Sequence, residues 1–200
     1  MNGRIEKLEL RREILHILIG IAALLLILFK IINPLIIFII LCIAIVLSLI
    51  SLKINVPIIS WFLDNFEREK DKNQLPGRGF LFAVAGTLLA LQLFPQNIAL
   101  ASIIILIFAD PTSHIVGKLF GKTNHFFDKK KNIEGHLSGF IVSSILASFF
   151  VPIALAIAGS LTAMLFESII IEIQKIQLDD NLMIPLTAGT VMFLIIRFLI

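Results

Sequence analysis

Two apolar runs follow one another near the start of the chain, separated only by Asn33-Pro34. The first extends roughly from Ile14 to Ile32 and the second from Leu35 to Leu52. Runs of this length constrain the fold more than any motif does. About 20 apolar residues in a helix cross a bilayer, and lipid offers the backbone no alternative hydrogen-bond partner. Proline disfavours helix at the residue before it, so Asn33 marks a turn. Further apolar stretches recur at roughly 80–94, 98–120, 137–158, 161–176 and 183–200, with Gly159-Ser160 as the expected hinge between the fifth and sixth. Residues 54–66, with Trp61, suit a segment along the membrane interface. The chain is 58% hydrophobic over 200 residues, with a mean hydropathy of +1.00. An ordinary soluble domain is excluded. The expectation is an all-α, polytopic integral membrane protein of about seven transmembrane helices, forming one catalytic domain over residues 1–200. The first run has the length of a true span and lacks a small-residue cleavage site, so no cleavable signal peptide is expected. The single cysteine, Cys42, lies inside an apolar run and makes no internal disulfide.

Charge placement orients these spans. With the N-terminus in the cytoplasm, 15 of the 17 basic residues fall on inner segments, and only Lys30 and Arg197 lie near the outer face. Such a bias is the signature of cytoplasmic loops. It places every polar loop rich enough for chemistry on the side where nucleotides are found. The cell membrane of a prokaryote is the expected location.

The chemistry-bearing stretch runs from Asp110 to Gly139. Only about a dozen apolar residues precede Asp110, roughly 18 Å of helix, so the fourth helix should continue past it toward Phe120. Gly117-Lys118 and Gly121-Lys122 follow, then a polar loop over about 121–135 that ends Lys129-Lys130-Lys131-Asn132-Ile133-Glu134-Gly135. Glycines let a backbone approach an anion closely, lysines neutralise phosphate charge, and carboxylates hold Mg²⁺. The glycine spacing is one residue short of a P-loop, and no strand precedes it, so a P-loop is rejected. A carboxylate inside a span is costly and usually functional, which singles out Asp110 and Glu167. Asp179-Asp180-Asn181 suits Mg²⁺ held partly by substrate phosphates, or equally a turn with Asn181 capping the last helix. His16, just after Arg11-Arg12, is a candidate base or phosphate donor. His114, His125 and His136 recur every eleven residues, but no cysteine joins them and zinc is not expected.

These residues resemble the CTP-dependent polyprenol kinase group, which comprises dolichol kinase, phytol kinase and CTP-dependent diacylglycerol kinase and is related to the phosphatidate cytidylyltransferases. The resemblance rests on Asp110-Pro111 with the two Gly-Lys pairs, and on Lys131-Asn132-Ile133-Glu134-Gly135. It extends to Glu167 with Asp179-Asp180-Asn181, and to Arg12 through His16, which is similar to an opening Arg-Lys-x-x-His. Asn132 stands where Ser or Thr is usual, and Glu13 replaces the opening lysine. The cytidylyltransferase elements beyond Glu167-Ser168 are missing, which favours a kinase. The resemblance implies transfer of a phosphate from CTP to the hydroxyl of a long isoprenoid alcohol. Asp110, Asp179 and Asp180 would hold Mg²⁺. Lys118, Lys122, Lys131 and Asn132 would meet phosphates, with Gly117, Gly121 and Gly135 giving backbone access. Glu134 or Asp110 would take the hydroxyl proton, and Glu167, Asn181, Arg12 and His16 are further candidates. Expected partners are the lipid alcohol, CTP and membrane lipids, with no nucleic acid; the oligomeric state stays open. The alternatives are a cytidylyltransferase making a CDP-lipid, and a transporter or non-catalytic membrane protein. A transporter would often show inverted repeats, and none is evident.

The charge bias makes a direct prediction. In a Cys42→Ser background, cysteines placed at Asn73, Asn124 and Asn181 should resist a membrane-impermeant thiol reagent in intact cells. Labelling of any of them from outside would overturn the span count.

Overall fold

The structure is a computed structural model describing residues 2–67, 69–72, 74–123, 132–168, 172–173, 176–177 and 179–199. The polar start and the first apolar run form one helix, α1 (Asn2–Leu28). It ends four residues before the expected limit of the first span. Lys30 takes φ 57, a left-handed conformation that stops a helix. Pro34 then opens α2 (Pro34–Ser51), and the Asn33 side chain accepts the Ile36 N–H at 3.0 Å as its cap. A short amphipathic helix, α3 (Pro57–Phe66), buries Leu63 and exposes Ile58 and Trp61. One turn, α4 (Glu69–Lys72), leads to Gly77, whose φ of 76 starts α5 (Arg78–Leu93).

The central element is α6 (Gln96–Phe120), a helix of 25 residues that runs unbroken past Asp110. Nearly all of its residues from Ile98 to Ala109 are buried. A helix that is apolar all round belongs in the middle of a bundle, and α6 packs against α1, α5 and the three helices that follow. Those are α7 (Ile133–Ala147), α8 (Ile153–Ser168) and α9 (Asp180–Leu199).

Two expected boundaries are corrected. The break between the fifth and sixth segments falls at Ser148–Pro152 and not at Gly159-Ser160. Pro152 disfavours helix at Val151 and cannot donate a backbone bond. Gly159 and Ser160 lie buried inside α8, where the missing side chain of Gly159 lets Met192 of α9 come within 3.0 Å of where a Cβ would stand. The sixth segment, expected to reach residue 176, ends as helix at Ser168. Beyond it β1 (Glu172–Ile173) pairs antiparallel with β2 (Ile176–Gln177), Glu172 opposite Gln177.

Among the described residues three helices are long and apolar enough to cross a membrane: Pro34–Ser51, Gln96–Phe120 and Asp180–Phe198. Helices α5, α7 and α8 are apolar but shorter. The surface agrees with a lipid setting: Phe29, Leu35, Phe38, Phe149 and Phe198 are all exposed. An apolar exterior this extensive does not suit water.

The tightest packing is between α6 and α7, and it depends on glycine. A Cβ on Gly135 would collide with the Ser113 carbonyl oxygen and lie 2.7 Å from the Gly117 Cα. A Cβ on Gly139 would collide with the Ala109 carbonyl oxygen. Backbone cannot give way as a flexible side chain can. Gly135→Ala should therefore cost about 1–3 kcal/mol by overpacking, and more than Gly159→Ala, whose neighbour is the flexible Met192. Thermal unfolding in detergent measures both. Equal losses would place α7 away from α6.

Candidate active site

Helix α1 turns Arg12, Glu13 and His16 toward α6, where Asp110 and His114 lie one turn apart on the same face. Glu13 is buried, only 4% exposed. Its Oε1 accepts a hydrogen bond from Arg12 Nη2 at 2.7 Å and lies 3.2 Å from His114 Nδ1. The other ring nitrogen of His114, Nε2, lies 3.5 Å from Asp110 Oδ1. Arg12, Glu13, His114 and Asp110 thus form one connected polar cluster across the α1–α6 contact. His16 Nε2 reaches the Leu106 carbonyl oxygen at 3.3 Å, further down the same contact.

A second polar cluster faces it, at the starts of α5 and α9. Arg78 Nε donates to Asp179 Oδ2 at 3.0 Å. Asp179 Oδ1 accepts the Asn181 N–H at 3.1 Å and its Nδ2 at 3.0 Å. The cap of α9 is therefore Asp179, where the sequence suggested Asn181. The Arg78 guanidinium lies 5.6 Å from the centre of the Phe82 ring. Burial raises the Asp179 carboxyl above its ordinary range, and the bonds from Arg78 and Asn181 work against that rise. Both clusters, with Asp180, line one cavity of about 460 Å³.

The cavity wall thus brings together Asp110, Asp179, Asp180, Asn181, Arg12 and His16 from the residues singled out in the sequence. The others lie elsewhere. Gly117, Gly121, Gly135 and Asn132 belong to the α6–α7 crossing, where Asn132 Nδ2 donates to the Gly117 carbonyl oxygen at 2.8 Å. Lys118 Nζ reaches back to Glu9 Oε2 at 3.4 Å, and Lys122 is exposed. Glu134 clasps Thr123: its carboxylate accepts the Thr123 N–H at 3.1 and 3.2 Å and the hydroxyl at 2.9 Å. Its own backbone N–H and the Thr123 donors hold the Glu134 carboxyl below the ordinary range. Glu167 is buried at the end of α8, 3.6 Å from His136 Nδ1. Lys131, with Lys129, Lys130, His125, Asn73 and Asn124, lies outside the described residues.

Three residues of the site escaped the sequence analysis. Glu13 looked like a departure from a motif, His114 like part of an accidental histidine spacing, and Arg78 like part of a Pro-Gly turn. The i, i+4 spacing of Asp110 and His114 was the one signal available.

Glu13, Asp110 and His114 are a group able to hold a metal ion, with one ligand atom from each lying within 4.8 Å of the others. Two carboxylates suit Mg²⁺, which takes one or two from a protein and leaves the remaining positions to water and phosphates. An imidazole suits Mg²⁺ poorly, and His114 has each ring nitrogen turned to one of the two carboxylates. The donor set therefore fits Mg²⁺ through Glu13 and Asp110.

Comparison with known proteins adds a lineage. No protein-family model and no solved structure matches the chain. It is 28% identical over 141 residues to CTP-dependent diacylglycerol kinase 1 of Schizosaccharomyces pombe, covering 64% of each chain. It is 25% identical over 146 residues to CTP-dependent diacylglycerol kinase 1 of Eremothecium gossypii, covering 60% of this chain and 45% of that one. The chain thus spans less than two thirds of the length of either kinase. It is 31% identical over 189 residues to the uncharacterized protein MJ1137 of Methanocaldococcus jannaschii, covering 88% of each.

The Arg78–Asp179 pair can be tested directly. Its side chains are 22% and 14% exposed, so solvent screens it only partly. Arg78→Ala should cost about 2 kcal/mol by leaving Asp179 without its cation. Arg78→Met combined with Asp179→Asn, which keeps a capping side chain, should cost less than the single change. Thermal unfolding of the two variants gives the ranking.

Proposed function

This chain belongs to one family with the M. jannaschii protein, and on that footing we propose that it is a CTP-dependent lipid kinase acting at the cytoplasmic face of a membrane. The observation that carries the reading is the cavity, whose wall joins the carboxylates of Glu13, Asp110, Asp179 and Asp180 and two arginines with apolar side chains. The names of the two diacylglycerol kinases support CTP as donor and a lipid as acceptor. The chain would act as a single catalytic domain crossing the membrane seven times, with its N-terminus in the cytoplasm, as the charge bias suggests.

Phosphoryl transfer through a loose transition state asks mainly for positioning and charge neutralisation. Glu13 and Asp110 would hold Mg²⁺, which when bound neutralises phosphate charge. Arg12 and Arg78, on opposite sides of the cavity, would meet phosphate oxygens; a guanidinium does so with two parallel bonds. Asp110 would accept the hydroxyl proton on a carboxylate oxygen as the lipid oxygen bonds to phosphorus and CDP leaves. Lys118, Lys122 and Lys131 would raise the local concentration of nucleotide at the cytoplasmic face. Glu134 would act through the loop it clasps.

The acceptor proposed is a long isoprenoid alcohol. The names of the two kinases favour diacylglycerol as a second reading, and one assay separates them. Purified protein is incubated with γ-labelled CTP, Mg²⁺ and, in separate arms, prenols, diacylglycerol or a lipid phosphate. A kinase leaves the label on the lipid, whereas a CDP-lipid synthase releases it as pyrophosphate. Asp110→Asn keeps the shape and loses the charge. It should lower turnover by at least about a hundredfold while the protein inserts and purifies normally. A near-normal rate at limiting Mg²⁺ would remove Asp110 from the site, and label that never reaches a lipid would end the kinase reading.

A further inference from the structure

We propose that one hydrocarbon chain of the lipid substrate is drawn inside the protein, into an apolar limb of the cavity between α1 and the α2–α5 pair, and is not left in the surrounding bilayer. The kinase reading supplies the identity of the occupant; the limb itself is a matter of geometry. On α1 no charged residue lines the cavity beyond His16, and on α5 the one polar side chain beyond Gly79 is Thr87. Beyond His16 the wall on α1 continues through Ile19, Ala23 and Leu26, a spacing that keeps to one helix face. Helix α5 supplies Phe80, Ala83, Val84 and Thr87, again at helical spacing, and α6 supplies Ile103, Leu106 and Ile107. The limb ends where α1 turns into α2, at Ile27, Ile32 and Ile37. From His16 to Ile27 is about 16 Å of helix, roughly half the thickness of a hydrocarbon core.

The packing explains why the limb is open. Helix α1 packs on α6 and on α3, while α5 packs on α2, α6 and α9. Small residues, Ala22 and Ala23 on α1 and Ala83 on α5, line the cavity, while Gly20 lets α1 pack closely on Ile107 of α6. A phosphate-binding pocket needs no such extension. A chain already in lipid gains no hydrophobic free energy by entering; it gains close contact with these walls. Its head would then be held at the level of Asp110 and His114, so the limb would fix the height of the hydroxyl and limit the length of the chain. The chemistry specified is one long hydrocarbon chain ending in a hydroxyl-bearing head, which a prenol and a diacylglycerol share.

Two measurements test this. In the first, the protein is photolysed without CTP beside a prenol or, in a separate arm, a diacylglycerol, each carrying a diazirine at the far end of one chain. Mass spectrometry maps the adducts. The expected sites are Ile27, Ile32, Ile37 and Ile103. Adducts confined to lipid-facing side chains such as Leu18, Leu25 and Phe38 would overturn the proposal. The arm that labels the limb identifies the source of the chain. In the second, Ala83→Phe fills the limb. The ratio of long-chain to short-chain turnover should fall about tenfold or more, the scale of an overpacked site; an unchanged ratio would overturn it. If no lipid is phosphorylated at all, the kinase reading fails and the adduct map still decides on the limb. If Ala83→Phe does not fold, the adduct map decides alone.

Discussion

Asp110 sits on a helix that is buried along most of its length, and a carboxylate in such surroundings must be met by other polar groups. That requirement organises the structure around it. His114 is one turn away on the same helix, but the remaining partners must come from another element. They come from α1, whose Glu13 lies 3.2 Å from His114 of α6 and is itself held at 2.7 Å by Arg12, its neighbour on α1. The first helix is thereby held against the fourth apolar segment by polar contacts at one end. Apolar ones, such as Ile107 against Gly20, hold it below. Burying Glu13 would be unfavourable by itself, and it is acceptable because a guanidinium and an imidazole share its charge.

On its other side α6 needs close approach more than charge. Gly135 and Gly139 bring α7 so near that a single methyl group would strike backbone. Small residues serve this purpose between helices in lipid, where the hydrophobic effect does not push helices together and dispersion must hold them. The two sides of α6 therefore use opposite chemistry. One is polar and borders a cavity, the other is glycine-lined and closed. This division explains why the Gly-Lys pairs, which look like a phosphate loop in the sequence, split in the fold. Their glycines face α7, while Lys118 reaches toward Glu9 and Lys122 toward the surroundings.

Much of the architecture was legible because it follows from local rules. The α1–α2 turn at Asn33-Pro34 and the passage of α6 beyond Asp110 rest on run length and proline. The misplaced hinge has an equally local cause. Glycine inside a helix costs only about 1 kcal/mol and is readily offset by packing, as at Gly159, whereas proline removes a bond outright, as at Pro152. The site was legible in part. Asp110, Asp179 and Asp180 stood out as carboxylates in or beside spans. Glu13 did not, since an acidic residue next to two arginines at the edge of a span is what an ordinary solvated helix end looks like.

By itself the sequence determined that the chain is helical and that its apolar runs give it helices long and apolar enough to cross a membrane. These properties follow from hydrogen bonding and charge along the chain, and need no knowledge of which helix touches which. Only the tertiary structure decided the composition of the site. Residue 13 meets residue 114, and residue 78 meets residue 179, across separations of 101 residues in each case. No periodicity or motif encodes such pairings. They arise because buried charges seek one another once the apolar faces have chosen their neighbours.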